Sequence, residues 1–327
     1  TLMNNKLKII ACVVGFVVAV TAVFSYNNLF GAPAEKAEIE RFVVKKDTGK
    51  EVIVEALRTQ GFVKNIVGFR LALSFKKIND IPSGAYKISK AMNAWEITKI
   101  LGGEPYMKWV TIPEGLRKEE IAELLQKELG WTNEETQTWI IKDTAEDADY
   151  TEGVYFPDTY LIPVDEPTQE VAKRLRAKFE EKFAPYAKEA LEENIRWPTL
   201  LKIASIVQRE AAGKSDMPLI AGVIWNRLLN DTRLEVDATL QYARGKTNKG
   251  WWTPISSEDK KLESPYNTYK EKGLPPTPIS NPGVTALNAV LHPEKTKCFF
   301  YIHDNSKQIH CAETFEEHKA NIEKYLR

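Results

Sequence analysis

Glu210 is the acidic residue with the least ordinary surroundings in this chain. It sits in residues 197–228, WPTLLKIASIVQREAAGKSDMPLIAGVIWNRL. Pro198 suits the first turn of a helix and Gly213 the end of one. Ser215, Asp216 and Pro218 suit the start of the next, so the segment reads as a helix, a short turn and a second helix. On a wheel of about 100° per residue, Leu200, Ile203, Ala204, Ile206, Val207 and Ala211 form one apolar arc, with Lys202, Ser205 and Arg209 on the opposite, wet face. Glu210 falls inside the apolar arc, between Ile203 and Ile206. Carboxylates are seldom buried without a partner, and burial disfavours the ionised form. A carboxyl placed here keeps its proton toward neutral pH and can act as a general acid. The alternative is a carboxylate at the rim of the core, paired with an arginine; the spacing leaves both open.

The elements that would hold this residue follow from the rest of the chain. At 327 residues it is longer than one average domain, so two globular parts are expected. With 43% hydrophobic and 28% charged residues it is an ordinary folded protein, and a net charge of zero gives no sign of a nucleic-acid partner or of any polyanion held by bulk charge. Lys6 and Lys8 precede an apolar run over residues 9–24, and the next charge is Glu35. Counted generously the run reaches about 20 residues, enough to span a bilayer, and the positive-inside rule puts the N-terminus in the cytoplasm and everything after Phe24 outside it. Ala32-Pro33-Ala34 has the form of a signal-peptidase site, but it lies well beyond a run that is long for a signal peptide, so an uncleaved anchor is the expectation.

Past a short linker, residues 42–62, 86–104 and 109–131 each read as strand, turn and helix, with another helix over 63–75. The strand-helix-helix-strand unit over about 42–105 resembles the LysM-type module that binds wall glycans; a plain α/β spacer fits the same pattern. Helices are expected over 132–142, 168–187, 284–291 and 316–326, and a hairpin over 297–302 and 308–313. Cys298 and Cys311 flank that hairpin, either as a disulfide or as two buried thiols. With His303 and His310 between them the spacing matches no standard zinc pattern, and ordinary strand residues are expected. Residues 233–242, 250–252, 264–269 and 273–283 read as a long irregular segment rich in Tyr, Trp, Asn and Thr. Such segments commonly line a site, and these side chains suit sugars, although each is also ordinary loop chemistry.

Several motifs in this order resemble the membrane-anchored endolytic murein transglycosylases, the YceG-like family. They are EGVYFPDTY (152–160), ASIVQRE (204–210), NRL (226–228), LEVDAT (234–239), YNTY (266–269), GLPPTPISNPG (273–283), HCAET (310–314) and EEH (316–318). The resemblance covers nearly the whole chain past the anchor. It implies that Glu210 is the catalytic acid. Three departures stand out: Gln208 replaces a first glutamate, Ala312-Glu313 replaces a Phe-Ser pair, and Asp237-Ala238 replaces Asp-Pro.

The resemblance therefore implies an α+β protein in three parts: tail, transmembrane helix and linker over 1–34, a LysM-like module over 35–105, and a mixed α+β catalytic domain over 106–327 whose helix pair carries the acid. The implied activity is cleavage of the β-1,4 bond between N-acetylmuramic acid and N-acetylglucosamine inside peptidoglycan glycan strands, leaving 1,6-anhydro ends, with no metal or organic cofactor. Implied partners are the glycan strands, the cytoplasmic membrane and peptidoglycan synthases. Asn226, Asp237, Gln241, Tyr242, Tyr266, Asn267 and Tyr269 are the candidates for holding the sugar. Asn226 shares a helical stripe with Leu219 and Val223, which would turn it toward Glu210. Two rivals stay open: a two-carboxylate hydrolase using Asp237 or Glu235, and a non-catalytic wall-binding scaffold.

Overall fold

The computed structural model describes residues 2–145 and 150–326; the side chains of residues 2–6, Lys6 among them, lie outside that set. The fold is mixed α+β, as expected, and divides into two compact units, residues 1–110 with 160–165, and 111–159 with 166–327.

The first unit opens with α1 (Leu2–Phe30), of which Leu7–Phe30 is long and apolar enough to cross a membrane and has none of its apolar window buried. β1 (Ile39–Val44), α2 (Lys50–Thr59), α3 (Ile66–Phe75), β2 (Gly84–Ser89), α4 (Ala94–Leu101) and β3 (Met107–Thr111) follow, and the chain returns to this unit for β4 (Thr159–Pro163). The strands form one sheet in the order β1-β2-β3-β4. β1 and β2 are antiparallel, with Phe42 opposite Tyr86 and Val44 opposite Gly84. Phe42, Val44, Tyr86 and Ile88 pack against Ile53, Val54 and Leu57 of α2, Phe69 and Leu73 of α3 and Ile97 and Leu101 of α4. Asn65 caps α3 and Asn93 caps α4, each accepting two backbone N–H groups that the first turn leaves without partners.

The second unit is mainly helical. α5 (Lys118–Leu129) and α6 (Asn133–Thr138) lead to the long α7 (Thr168–Glu192), then to α8 (Trp197–Glu210), α9 (Met217–Leu229), α10 (Asp237–Arg244) and α11 (Val284–Leu291). The hairpin β5 (Phe300–His303) and β6 (Ile309–Ala312) follows, and α12 (Phe315–Leu326) packs on it. α8 is the central element, packed against α7, α9, α10 and α11. Seven of its residues, Leu200, Leu201, Ile203, Ala204, Ser205, Ile206 and Val207, are buried.

Three sequence expectations are corrected here. α8 stops at Glu210, and Ala211 already has extended backbone (φ −69°, ψ 133°). The Asp216 carboxylate accepts the N–H groups of Ala212 (3.0 Å) and Gly213 (3.1 Å), giving the backbone an alternative to another helical turn. Ser205 is buried rather than wet: its hydroxyl accepts Ile279 N–H (3.0 Å) and its carbonyl accepts Ser280 Oγ (3.1 Å), so residues 279–280 cover that face. The stretch read as irregular contains α10, which begins at Asp237, an acidic residue in a first turn where the helix dipole favours it.

Candidate active site

Because α8 ends at Glu210, the carboxyl leaves the helix and enters a cavity of about 400 Å³ within the second unit. Val223, Ile224 and Arg227 of α9 form one wall, residues 234–237 with Lys260 and Tyr269 a second, and Phe300, Tyr301 and Ile302 of β5 a third. The Tyr301 hydroxyl donates to Glu210 Oε2 at 2.8 Å, and Ala238 N–H, in the first turn of α10, reaches Oε1 at 3.4 Å. Arg209 turns away. Its guanidinium stacks on Trp252 at 3.9 Å and donates to Gly115 O at 3.3 Å. No ion pair to Glu210 occurs among the described residues, so the rim-carboxylate alternative has no arginine to complete it.

Glu210 is half-buried at the cavity, and the protein that surrounds it raises its pKa above the ordinary carboxylate value. Loss of water is the largest cause and the charge of Asp237 adds to it, while the Tyr301 hydroxyl, the Ala238 N–H and His303 act in the opposite direction. The position at the C-terminal end of α8, where the helix dipole disfavours an anion, reinforces the protonated state. Burial and the Glu210 charge push the Tyr301 phenol well up, so it remains a donor.

The hairpin that carries Tyr301 is held from several sides. Tyr301 and His303 lie two apart on β5, on one face. His303 Nε2 bonds Asp216 at 2.7 Å, so the same strand clamps both the catalytic candidate and the turn that follows it. Cys298 and Cys311 form a disulfide with Cα atoms 5.8 Å apart, and Cys311 is the cross-strand partner of Tyr301. Arg227 is buried and donates to Phe299 O (2.6 Å), Arg233 O (3.0 Å), Leu234 O (2.8 Å) and Glu235 (3.3 Å), tying β5 to one cavity wall.

Of the seven sugar candidates, Asp237 and Tyr269 line this cavity, and the Tyr269 hydroxyl donates to Asp237 Oδ1 at 2.5 Å. Gln241 is one turn along α10 from Asp237 but is not a lining residue. Asn226 does not face Glu210: its amide donates to Thr296 O (2.9 Å) and Cys298 O (3.0 Å) and braces the hairpin. Asn267 is fully buried, spends both amide hydrogens on Lys260 O and Leu262 O and accepts Tyr269 N–H, so it braces this loop instead of facing a ligand. Tyr242 is five residues from Asp237, about 140° around α10, so the two look in different directions.

Tyr242 belongs to a second polar node, built on Glu152. This carboxylate is 1% exposed and accepts Asn281 Nδ2 (2.9 Å), the N–H groups of Lys118 and Gly153 (3.2 Å each) and the Tyr242 hydroxyl (3.4 Å). Burial pushes its pKa up to about 7. Arg117 stacks over Tyr242 at 4.2 Å, and Tyr266, bonded to Thr277, packs on the Tyr242 ring at 5.0 Å. Gly153 is required at this node because its φ is +84° and a Cβ would lie 2.6 Å from Pro278. The EGVYFPDTY and SNPG motifs thus meet in a buried structural knot.

Sequence reasoning missed Tyr301 and Lys260. The signal for Tyr301 was faint: polar-tipped residues at alternate positions of a strand beside a cysteine. Among the described residues no group of three or more His, Cys, Asp or Glu side chains is arranged to hold a metal ion.

A family model described as the YceG-like family matches residues 42–324. The chain belongs to the YceG-like family. It is similar to a Bacillus subtilis (strain 168) protein named endolytic murein transglycosylase, 27% identical over 329 residues, covering 93% of this chain and 90% of that protein. A protein of the same name from Streptococcus pneumoniae serotype 2 (strain D39 / NCTC 7466) is 27% identical over 321 residues, covering 86% of this chain and 58% of that longer protein. Among solved structures, a YceG-like protein, lmo1499, from Listeria monocytogenes superposes with a TM-score of 0.62 at 25% identity, covering 86% of this chain and 98% of that one.

Proposed function

We propose that this protein is an endolytic lytic transglycosylase that cuts the β-1,4 bond between N-acetylmuramic acid and N-acetylglucosamine within peptidoglycan strands, with Glu210 as its single acid and base. The observation that carries the proposal is the Glu210 carboxyl, held at a cavity wall with a raised pKa and a fixed donor, Tyr301, on one oxygen. Protonated Glu210 gives its proton to the glycosidic oxygen. The bond from muramyl C1 to that oxygen breaks, the N-acetylglucosamine unit leaves as an alcohol, and C1 takes on oxocarbenium character. Glu210, now a carboxylate accepting from Tyr301, removes the proton of the muramyl O6 hydroxyl as O6 bonds C1. The product is a 1,6-anhydro end, Glu210 is protonated again, and no water is consumed. General acid–base catalysis of this kind contributes about 10²- to 10⁴-fold. Lys260 and Tyr269 line the same cavity, with the cation 4.2 Å over the ring, and the Lys260 ammonium offers the sugars a donor.

The names of the B. subtilis and S. pneumoniae relatives support the substrate class. α1 supports a single-pass anchor in the cytoplasmic membrane, N-terminus inside. The order β1-α2-α3-β2, with β1 and β2 antiparallel, supports a LysM-like role for residues 35–105 in holding glycan, together with a catalytic domain over 106–327. Synthases that make the strands are the expected protein partners.

Asp237 lines the same cavity, which favours the two-carboxylate hydrolase as the second reading. Digestion of purified glycan strands, with the new ends identified by mass spectrometry, decides between them. Anhydro ends support the transglycosylase; reducing ends support the hydrolase; intact strands support a scaffold. Glu210→Gln abolishes product in the first case, and a variant that still cleaves refutes the assignment.

A further inference from the structure

The outer face of α3 carries three large apolar side chains in the open. Val67 is 55% exposed, Leu71 47% and Phe75 80%, while Gly68, Phe69, Ala72 and Leu73 face the core. Single exposed apolar residues are commonplace. These three are spaced four apart and form one stripe along a helix, which calls for a covering.

Within its own unit α3 packs on α4, α2 and the end of α1. The α1 and α3 backbones approach so closely that a Cβ on Gly68 would lie 1.9 Å from Leu29 O. From the last turns of α1 a series of rings leads onto the stripe: Tyr26 to Phe30 (5.2 Å), Phe30 stacked on Trp95 (5.0 Å), Trp95 edge-on to Phe75 (6.1 Å). The 24 residues of α1 from Leu7 to Phe30 rise about 36 Å, against about 30 Å of hydrocarbon. Its final turn, where α3 touches it, therefore stands at the boundary between acyl chains and headgroups. Aromatic rings gather at that depth. Exposed lysines flank the stripe, Lys64 before α3 and Lys76 and Lys77 after it, while Arg70 on α3 is paired with Glu51 at 2.7 Å. A helix with an apolar stripe and a basic border fits a phosphate-bearing lipid surface.

We propose that α3 lies in the membrane–water interface, with Val67, Leu71 and Phe75 seated in the lipid and the flanking lysines among the headgroup phosphates. The bilayer then holds the first unit at two places, the α1 span and the α3 stripe, and fixes the tilt of that unit against the membrane surface. The inference rests on the reading of α1 as a membrane span.

The test uses the full chain with Cys12→Ser, which leaves Cys298 and Cys311 in their disulfide, reconstituted in vesicles of phosphatidylethanolamine and phosphatidylglycerol. A single cysteine replaces Leu71, Phe75 or Val17 in turn and carries an environment-sensitive fluorophore. The labels at Leu71 and Phe75 are expected to emit to the blue, to be quenched by a nitroxide at shallow depth in the lipid, and to resist aqueous iodide. Quenching by iodide and not by the nitroxide overturns the proposal, provided the Val17 label is quenched by a deep nitroxide. Labels shielded from both quenchers identify a protein neighbour and also overturn it. A Val17 label open to iodide refutes the span itself, and the interface position of α3 falls with it.

Discussion

Replacing Tyr301 by Phe removes one oxygen and leaves the ring, its edge-on packing against His303 at 6.0 Å and the β5–β6 register in place. What is lost is the 2.8 Å bond to Glu210 Oε2. A hydrogen bond to a charged group is worth about 1.5–3 kcal/mol. In the proposed reaction Glu210 becomes a carboxylate as it protonates the leaving oxygen, so the bond strengthens on the way to the transition state. If all of it is expressed there, the rate falls by roughly 10- to 150-fold, at 1.36 kcal/mol per factor of ten. The same bond holds the Glu210 pKa down against burial. Its loss raises that pKa further, so the alkaline limb of the pH–rate profile moves to higher pH. The assay is release of anhydro-ended muropeptides from glycan strands, followed by liquid chromatography and mass spectrometry across pH. A slower variant with an unmoved alkaline limb, or an unchanged rate, refutes the role given to Tyr301.

Further outcomes follow from the same geometry. In the unaltered protein, glycan cleavage falls as pH rises through the raised pKa of Glu210, because the acid is then ionised before it can donate; a rate that keeps rising with pH would contradict this. Glu210→Gln loses product formation while its circular dichroism spectrum and thermal midpoint stay close to those of the parent. Glu152 has a folded pKa of about 7 against an ordinary value of 4.5, so the folded state binds more protons than the unfolded state in that window and stability declines as pH rises from about 4.5 through 7. The decline is on the order of 3 kcal/mol, and urea unfolding at pH 5 and pH 8 should show it in the parent and a much smaller change in Glu152→Gln. Reduction of the Cys298–Cys311 bridge, which closes a loop of sequence separation 13, should cost about 2–4 kcal/mol of unfolding free energy and lower cleavage, because it frees the strand that carries Tyr301; equal activity with and without reductant would separate the bridge from the site.

Much of the architecture was legible in local pattern. The strand-turn-helix units over 42–62, 86–104 and 109–131 appear as β1-α2, β2-α4 and β3-α5, and the helix expected over 284–291 is α11. Their periodicities are set by which face meets the core, and each element can be read without knowing its neighbours. α10 escaped because its eight residues, DATLQYAR, are too short to show a clear period. The end of α8 was misplaced because Asp216, six residues past Glu210, captures the backbone there, and no local propensity encodes that capture. Ser205 looked wet on a wheel and is dry because a segment 75 residues away covers it.

The candidate site divides along the same line. Sequence alone isolated Glu210, since a carboxylate in an apolar arc is a local anomaly, and the order of the motifs pointed to the family. Tertiary structure alone decided what surrounds that acid. Tyr301 is 91 residues from Glu210 in the chain and 2.8 Å from it in space. Asn226 and Asn267 have the right chemistry for a sugar, yet their amides are spent on backbone carbonyls. Asp237 and Tyr242 share one short helix and face two separate polar nodes. Residue type and spacing report what a side chain can do and which way its own element presents it. Whether that capacity is free for a substrate depends on partners brought in by packing, and these lie too far along the chain for any local pattern to register.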